Sequence, residues 1–135
     1  MKKILLLVLL LSVQSVNSKT IHNSNKNKIY GVYELNEFGT QGKLNLIQTK
    51  EHEILFNISI ITPSGNMGEL TEKSQYYDGI SKFSSKEKSC DLIFHIREKE
   101  VIVSQVGYCE FGMNVLGDGT YKLNPKLKPD LSLEY

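Results

Sequence analysis

From Lys28 onward the apolar residues of this chain recur at every second position in short runs, and none keeps a 3.6-residue period over a dozen residues. Side chains alternate across a strand, so this spacing predicts strands with one buried face and leaves no place for an amphipathic helix. Glu53 to Thr62 is the clearest run, with Ile54, Phe56, Ile58 and Ile60 on one face, Asn57 and Ser59 on the other, and Pro63-Ser64-Gly65-Asn66 ending it as a turn. Upstream, Lys28 to Asn36 sets Ile29, Tyr33 and Leu35 on one side. Lys43 to Thr49 turns Leu44 and Leu46 inward, and Lys50-Glu51-His52 connects it to the next strand. Downstream, Gly68 to Tyr77 carries Leu70 and Tyr76 on the same side, Asp78-Gly79 is a turn signal, and Ile80 to Phe83 precedes a charged loop from Ser84 to Ser89.

Cys90 to Arg97 aligns Leu92, Phe94 and Ile96, and Glu100 to Val106 answers it through Ile102, Val103 and Val106. A last element surrounds Gly119-Thr120-Tyr121. About eight short strands at hairpin spacing predict an all-β fold, a small antiparallel up-and-down β-barrel of lipocalin-like kind, with a sandwich as the alternative. Closure removes the open edges on which such strands aggregate. The domain is expected over 28–124, with 125–135 as an extended C-terminal tail containing two prolines. Gly31-Val32-Tyr33 and Gly119-Thr120-Tyr121 share the form G-x-Y, and in such a barrel the first and last strands are neighbours, so the two tyrosines are expected to pack across the joint.

The two cysteines, Cys90 and Cys109, test the penultimate hairpin. A two-residue turn at Lys99-Glu100 sets Cys90 directly opposite Cys109. Moving the turn to Glu98-Lys99 shifts the pairing by two residues and keeps both sulfurs on one side of the ribbon, as a disulfide requires. An even pair reads as a disulfide in an oxidising compartment, two free buried thiols being the alternative.

The compartment is suggested by the first eighteen residues. Lys2 and Lys3 precede eight consecutive Ile, Leu and Val residues from Ile4 to Leu11, and a polar stretch leads to Val16-Asn17-Ser18. This is the plan of a cleavable signal peptide over 1–18, with 19–27 as a polar leader, and it predicts a secreted or periplasmic protein. The apolar run is too short to span a bilayer, which takes about 20 residues, so no stable membrane anchor is expected. Beyond residue 18 the chain carries 14 basic against 15 acidic side chains. That balance speaks against a nucleic-acid partner, which demands a basic stripe.

Candidate chemistry is sparse. His22, His52 and His95 have no Cys, Asp, Glu or His at ligand spacing, so no metal is expected. The aspartates Asp78 and Asp118 adjoin glycines, where turn chemistry accounts for them, and no serine lies in a nucleophile motif. No catalytic group and no cofactor are expected, and the chain reads as a non-enzyme. Asn57-Ile58-Ser59 fits the N-glycosylation sequon on a strand's outward face. The most distinctive segment runs from Gly107 to Val115. Tyr108, Glu110, Phe111, Met113 and Asn114 form a candidate binding loop tethered at Cys109, because tethering lowers the ordering cost of binding. The competing reading is that Tyr108, Phe111 and Val115 plug one end of the barrel.

Cys90-x-Leu92-x-Phe94, then Val101-x-Val103-x-Gln105-x-Gly107-x-Cys109-x-Phe111-Gly112-x-Asn114-Val115, and finally Gly119-x-Tyr121 together resemble the end of small exported bacterial β domains grouped with periplasmic lysozyme inhibitors. The resemblance covers mainly residues 88–122. It implies an inhibitor-like barrel that binds an extracytoplasmic enzyme. The Ser- and Lys-bearing loop with which membrane-bound inhibitors enter the enzyme's cleft has no residue-by-residue counterpart here. The lipid-anchoring cysteine is also absent, and no inhibitory residue is carried over. The expectation is an exported non-enzymatic binding protein, an inhibitor or immunity-like factor, with a lipocalin-type carrier of a small apolar ligand as the alternative.

Overall fold

Alternation of this kind buries its apolar face if the sheet curls onto itself, and that is what the chain does. The computed structural model describes residues 28–87, 89–109 and 111–131, and the expected signal peptide and leader lie outside them. Eight antiparallel strands follow in order: β1 (Tyr30–Glu37), β2 (Thr40–Lys50), β3 (Glu53–Ile61), β4 (Met67–Tyr77), β5 (Ile80–Ser84), β6 (Cys90–Ile96), β7 (Glu100–Gly107) and β8 (Gly119–Leu123). Each pairs with its sequence neighbours, and β8 returns to β1 to close the barrel. The fold is the expected up-and-down barrel, not a sandwich.

The interior is filled by side chains. Ile54, Phe56, Ile58 and Ile60 of β3 are buried, facing Leu44 and Leu46 of β2, Tyr33 and Leu35 of β1, Leu92 and Phe94 of β6, and Tyr121 of β8. The Phe56 ring tilts against Phe94 with centroids 4.9 Å apart and meets Phe83 edge-on at 5.6 Å. Such aromatic pairs favour tilted or edge-on packing because the ring edge is positive and its face negative. Two buried serines are satisfied by each other: the Ser74 and Ser81 hydroxyl oxygens lie 2.6 Å apart, and Ser81 donates to the Gln75 carbonyl.

Two sequence expectations are corrected in detail. On β7 the inward residues are Val101 and Val103, while Ile102 is half-buried and Val106 exposed. Four apolar residues in six positions leave the alternation ambiguous there, and the pairing Ile96↔Val101 with Phe94↔Val103 decides it. That register is the one with its turn at Glu98-Lys99. It sets Cys90 opposite Gly107, and the disulfide to Cys109 reaches two residues past the end of β7. The second correction concerns the tyrosines of the two G-x-Y segments. β1 and β8 are neighbours, but Tyr33 pairs with Leu123. Tyr121 instead lies over Gly42 of β2, where an added Cβ would sit 3.0 Å from its ring.

The wall is uneven. β4 is eleven residues long, and β5 pairs only with its last three, at Gln75↔Lys82, Tyr76↔Ser81 and Tyr77↔Ile80. Beyond Lys82 the chain of β5 follows β6 instead, through Phe83↔Leu92 and Ser84↔Asp91. A gap therefore opens in the wall between the first half of β4 and the end of β5.

Candidate functional site

The gap and the long β7–β8 connection define one end of the barrel, and the connection crosses that end as a cap. It leaves β7 at Gly107, where a positive φ of 81° turns the chain and an added Cβ would meet the Ser89 carbonyl. Glycine alone takes that conformation without cost. Tyr108 then donates its N–H to the Ser89 carbonyl at 2.9 Å, and the Cys90–Cys109 disulfide, with Cα atoms 4.7 Å apart, clamps the cap to the start of β6. A disulfide is consistent with a protein that works outside the cytoplasm.

Past the disulfide the cap lies against β4. The Glu69 N–H donates to the Phe111 carbonyl at 2.9 Å. Gly68 and Gly112 bring the two backbones together: a Cβ on Gly112 would lie 2.5 Å from the Met67 carbonyl oxygen, and one on Gly68 would strike the Phe111 carbonyl. The return to β8 is held as firmly. Gly117 donates to Gln105 Oε1 at 2.7 Å, Gln105 N–H donates to Asp118 Oδ1 at 2.8 Å, and the buried Tyr121 hydroxyl donates to the Gly117 carbonyl at 3.1 Å. Burial, with the Asp118 and Glu37 charges nearby, pushes the Tyr121 phenol far above the ordinary range.

The cap is thus divided between two tasks. Cys109, Phe111 and Val115 are buried and stop the barrel end. Tyr108, Met113 and Leu116 are 56, 76 and 61% exposed, and Asn114 is exposed at a positive φ of 55°. The five candidate loop residues therefore separate: Phe111 is a plug, Tyr108, Met113 and Asn114 face solvent, and Glu110 lies outside the described residues. Other exposed apolar side chains stand at the same end, namely Met67 at the start of β4 and Phe38 at the tip of the β1–β2 hairpin. The hairpin tip, the β3–β4 connection and the cap abut one another: a Cβ on Gly39 would lie 3.2 Å from Pro63, and Met67 touches Gly112. Phe38 and Met67 escape a sequence reading because isolated exposed apolar residues are ordinary. A Phe-Gly between two alternating runs, where Asn-Gly or Asp-Gly is usual, is the signal that marks the first of them.

Beside the cap, the gap between β4 and β5 forms a cleft of about 820 Å³, lined by Leu70 and Ser74 of β4, Phe83, Ser85, Ser89, Tyr108 and the disulfide. On its rim, the Ser84 hydroxyl and the Lys82 ammonium, 3.2 Å away, hold the Asp91 carboxyl below its ordinary range. Among the described residues the histidines contribute no site. His52 stacks on Tyr77 in the β2–β3 turn and His95 is exposed on β6, while His22 lies outside the described residues. Among the described residues no three His, Cys, Asp or Glu side chains converge as metal ligands. Asn57 of the sequon lies half-buried on the outward face of β3, where its amide nitrogen donates to Glu69 Oε1 at 2.7 Å and to Thr71 Oγ1 at 2.8 Å.

The fold and site define a small closed antiparallel barrel with a filled interior and one disulfide-clamped, apolar-tipped end. No family model, no curated protein and no solved structure matches the chain.

Proposed function

We propose that this chain is an exported, non-enzymatic binding protein that seats its capped end on another extracytoplasmic protein. The observation that carries the reading is the division within the cap: a loop fixed on both sides by backbone bonds, glycine contacts and a disulfide nevertheless leaves Tyr108, Met113 and Leu116 in water. A rigid loop loses little entropy on docking, so its exposed apolar side chains act with their full contact energy. Export is supported by the composition of residues 1–18 and by the disulfide. The resemblance to periplasmic lysozyme inhibitors makes an enzyme the natural class of partner, blocked as an inhibitor or immunity factor blocks its target.

The test is capture on the immobilised, oxidised mature protein from periplasmic or secreted extract. The expected result is a partner retained by the unchanged protein and released by the double substitution Met113→Lys, Leu116→Lys. A lysozyme assay accompanies it, and unaffected turnover at excess protein removes that particular target. The second reading is a carrier of a small ligand, favoured by the 820 Å³ cleft rather than by the filled barrel axis. Stoichiometric binding of a hydrophobic dye with no protein retained would replace the first reading by the second.

A further inference from the structure

Two of the hairpins are closed by two-residue turns of the same geometry. Between Glu37 and Thr40 stand Phe38 (φ 50°) and Gly39 (φ 81°), and between Tyr77 and Ile80 stand Asp78 (φ 46°) and Gly79 (φ 84°). Positive φ at both central positions is what a type I′ hairpin turn requires, and Asn or Asp followed by Gly meets that requirement cheaply. The second turn has the expected Asp-Gly. The first puts a bulky aromatic in the left-handed region, where its Cβ crowds the backbone, and leaves that side chain 99% exposed. Phe38 therefore costs the fold twice, once in backbone strain and once in bare apolar surface, and the same molecule shows the cheaper solution forty residues later.

We infer that Phe38 is the anchor of the docking surface, inserting into an apolar pocket on a folded protein partner. This rests on the reading under Proposed function and adds to it the side chain that leads and the shape it meets. A ring projecting from a two-residue turn is convex on all sides, so its complement is a concave pocket. It stands at the end where Met67, Met113 and Leu116 are exposed, so one partner can cover the tip and the cap together. At the same end the carboxylates of Glu37, Glu69, Glu87 and Asp118 outnumber the ammonium groups of Lys43 and Lys86, the wrong sign for an anionic bilayer surface.

The experiment places the photoreactive p-benzoylphenylalanine at position 38, at 113, or at Tyr77 on the opposite end of the full chain, and irradiates intact producing cells. Positions 38 and 113 are expected to trap the same single protein, and position 77 none. Phe38→Asn should raise Tm by about 3–5 °C by relieving the turn. The same variant in excess should compete for the adduct at least about 30-fold less well than the unchanged chain. Trapping from 113 but not 38, or undiminished competition by Phe38→Asn, overturns the anchor and leaves the capped-end reading standing. No adduct from either position overturns both. Lipid adducts, or sedimentation with phosphatidylcholine–phosphatidylglycerol vesicles that Phe38→Asn abolishes, overturn it in favour of a membrane surface. A lowered Tm for Phe38→Asn also overturns it, since Phe38 would then serve the fold.

Discussion

Gly112→Ala isolates the contact on which the cap depends. The new methyl carbon would lie 2.5 Å from the Met67 carbonyl oxygen, 2.8 Å from Val115 Cγ2 and 3.0 Å from Gly68 Cα. Two of these are backbone atoms of β4, which is paired with β3 from Met67 to Gln75, so the strand cannot retreat and the cap must lift. Lifting breaks the Glu69–Phe111 hydrogen bond and exposes part of Phe111 and Val115, now 5% and 1% exposed. Full exposure of both side chains would cost about 3–6 kcal/mol, and the hydrogen bond adds about 1 kcal/mol. The disulfide and the Gln105 and Tyr121 bonds keep the cap from leaving altogether, so about half of that total is expected, roughly 2–3 kcal/mol. Against it stands the gain of about 0.4–1 kcal/mol that alanine brings by restricting the unfolded chain. The net is a destabilisation of about 2 kcal/mol, a fall in Tm of about 6–10 °C. Urea denaturation followed by far-ultraviolet circular dichroism measures it, and hydrogen exchange locates it. The Glu69 amide should lose protection while those of Phe56 and Ile58 keep theirs. A variant as stable as the parent with Glu69 still protected would refute the account of how the cap is held.

Replacing both Cys90 and Cys109 by serine should cost about 3 kcal/mol, the loop-closure entropy of a 19-residue separation, read as a lower urea midpoint with the cap exchanging first. Phe56→Ala removes the ring that meets both Phe83 and Phe94 and should cost about 3–5 kcal/mol in the same assay. Burial raises the phenol pKa of both Tyr121 and Tyr33 in the folded state, so their contribution is fully present below the unfolded tyrosine value of about 10 and is lost as pH rises above it. Stability should therefore fall as pH rises above about 10, and Tyr121→Phe should flatten the fall; an unchanged slope would remove Tyr121 as its cause.

Most of the wall was legible because alternation is unambiguous where only one face is apolar, as in β3, where each of the four expected residues is at most 1% exposed. It failed on β7, where Val101, Ile102, Val103 and Val106 put apolar groups on both faces and only the partner strand's register could choose. The cap shows a different limit. Its tether and its aromatic content are visible in the sequence, but whether Phe111 points in and Tyr108 out depends on the close approach of Gly112 to Gly68, forty-odd positions away. The alternating runs end at Asn36 and resume at Lys43, which leaves Phe38 in a connection, whereas β1 and β2 continue to Glu37 and from Thr40 and make it part of a two-residue turn.

The short pairing of β5 with β4 has a mechanical consequence. Every other neighbouring pair up to β6–β7 is stitched by five or more residue pairs, and this one by three. The β8–β1 join has only two, so under thermal or pulling load the cylinder parts at these two thin joins, and the parting would leave β1–β4 as one leaf and β5–β8 as another. The sulfur bridge binds two ends within the second leaf, so it would keep that leaf intact through such an opening without resisting the opening itself.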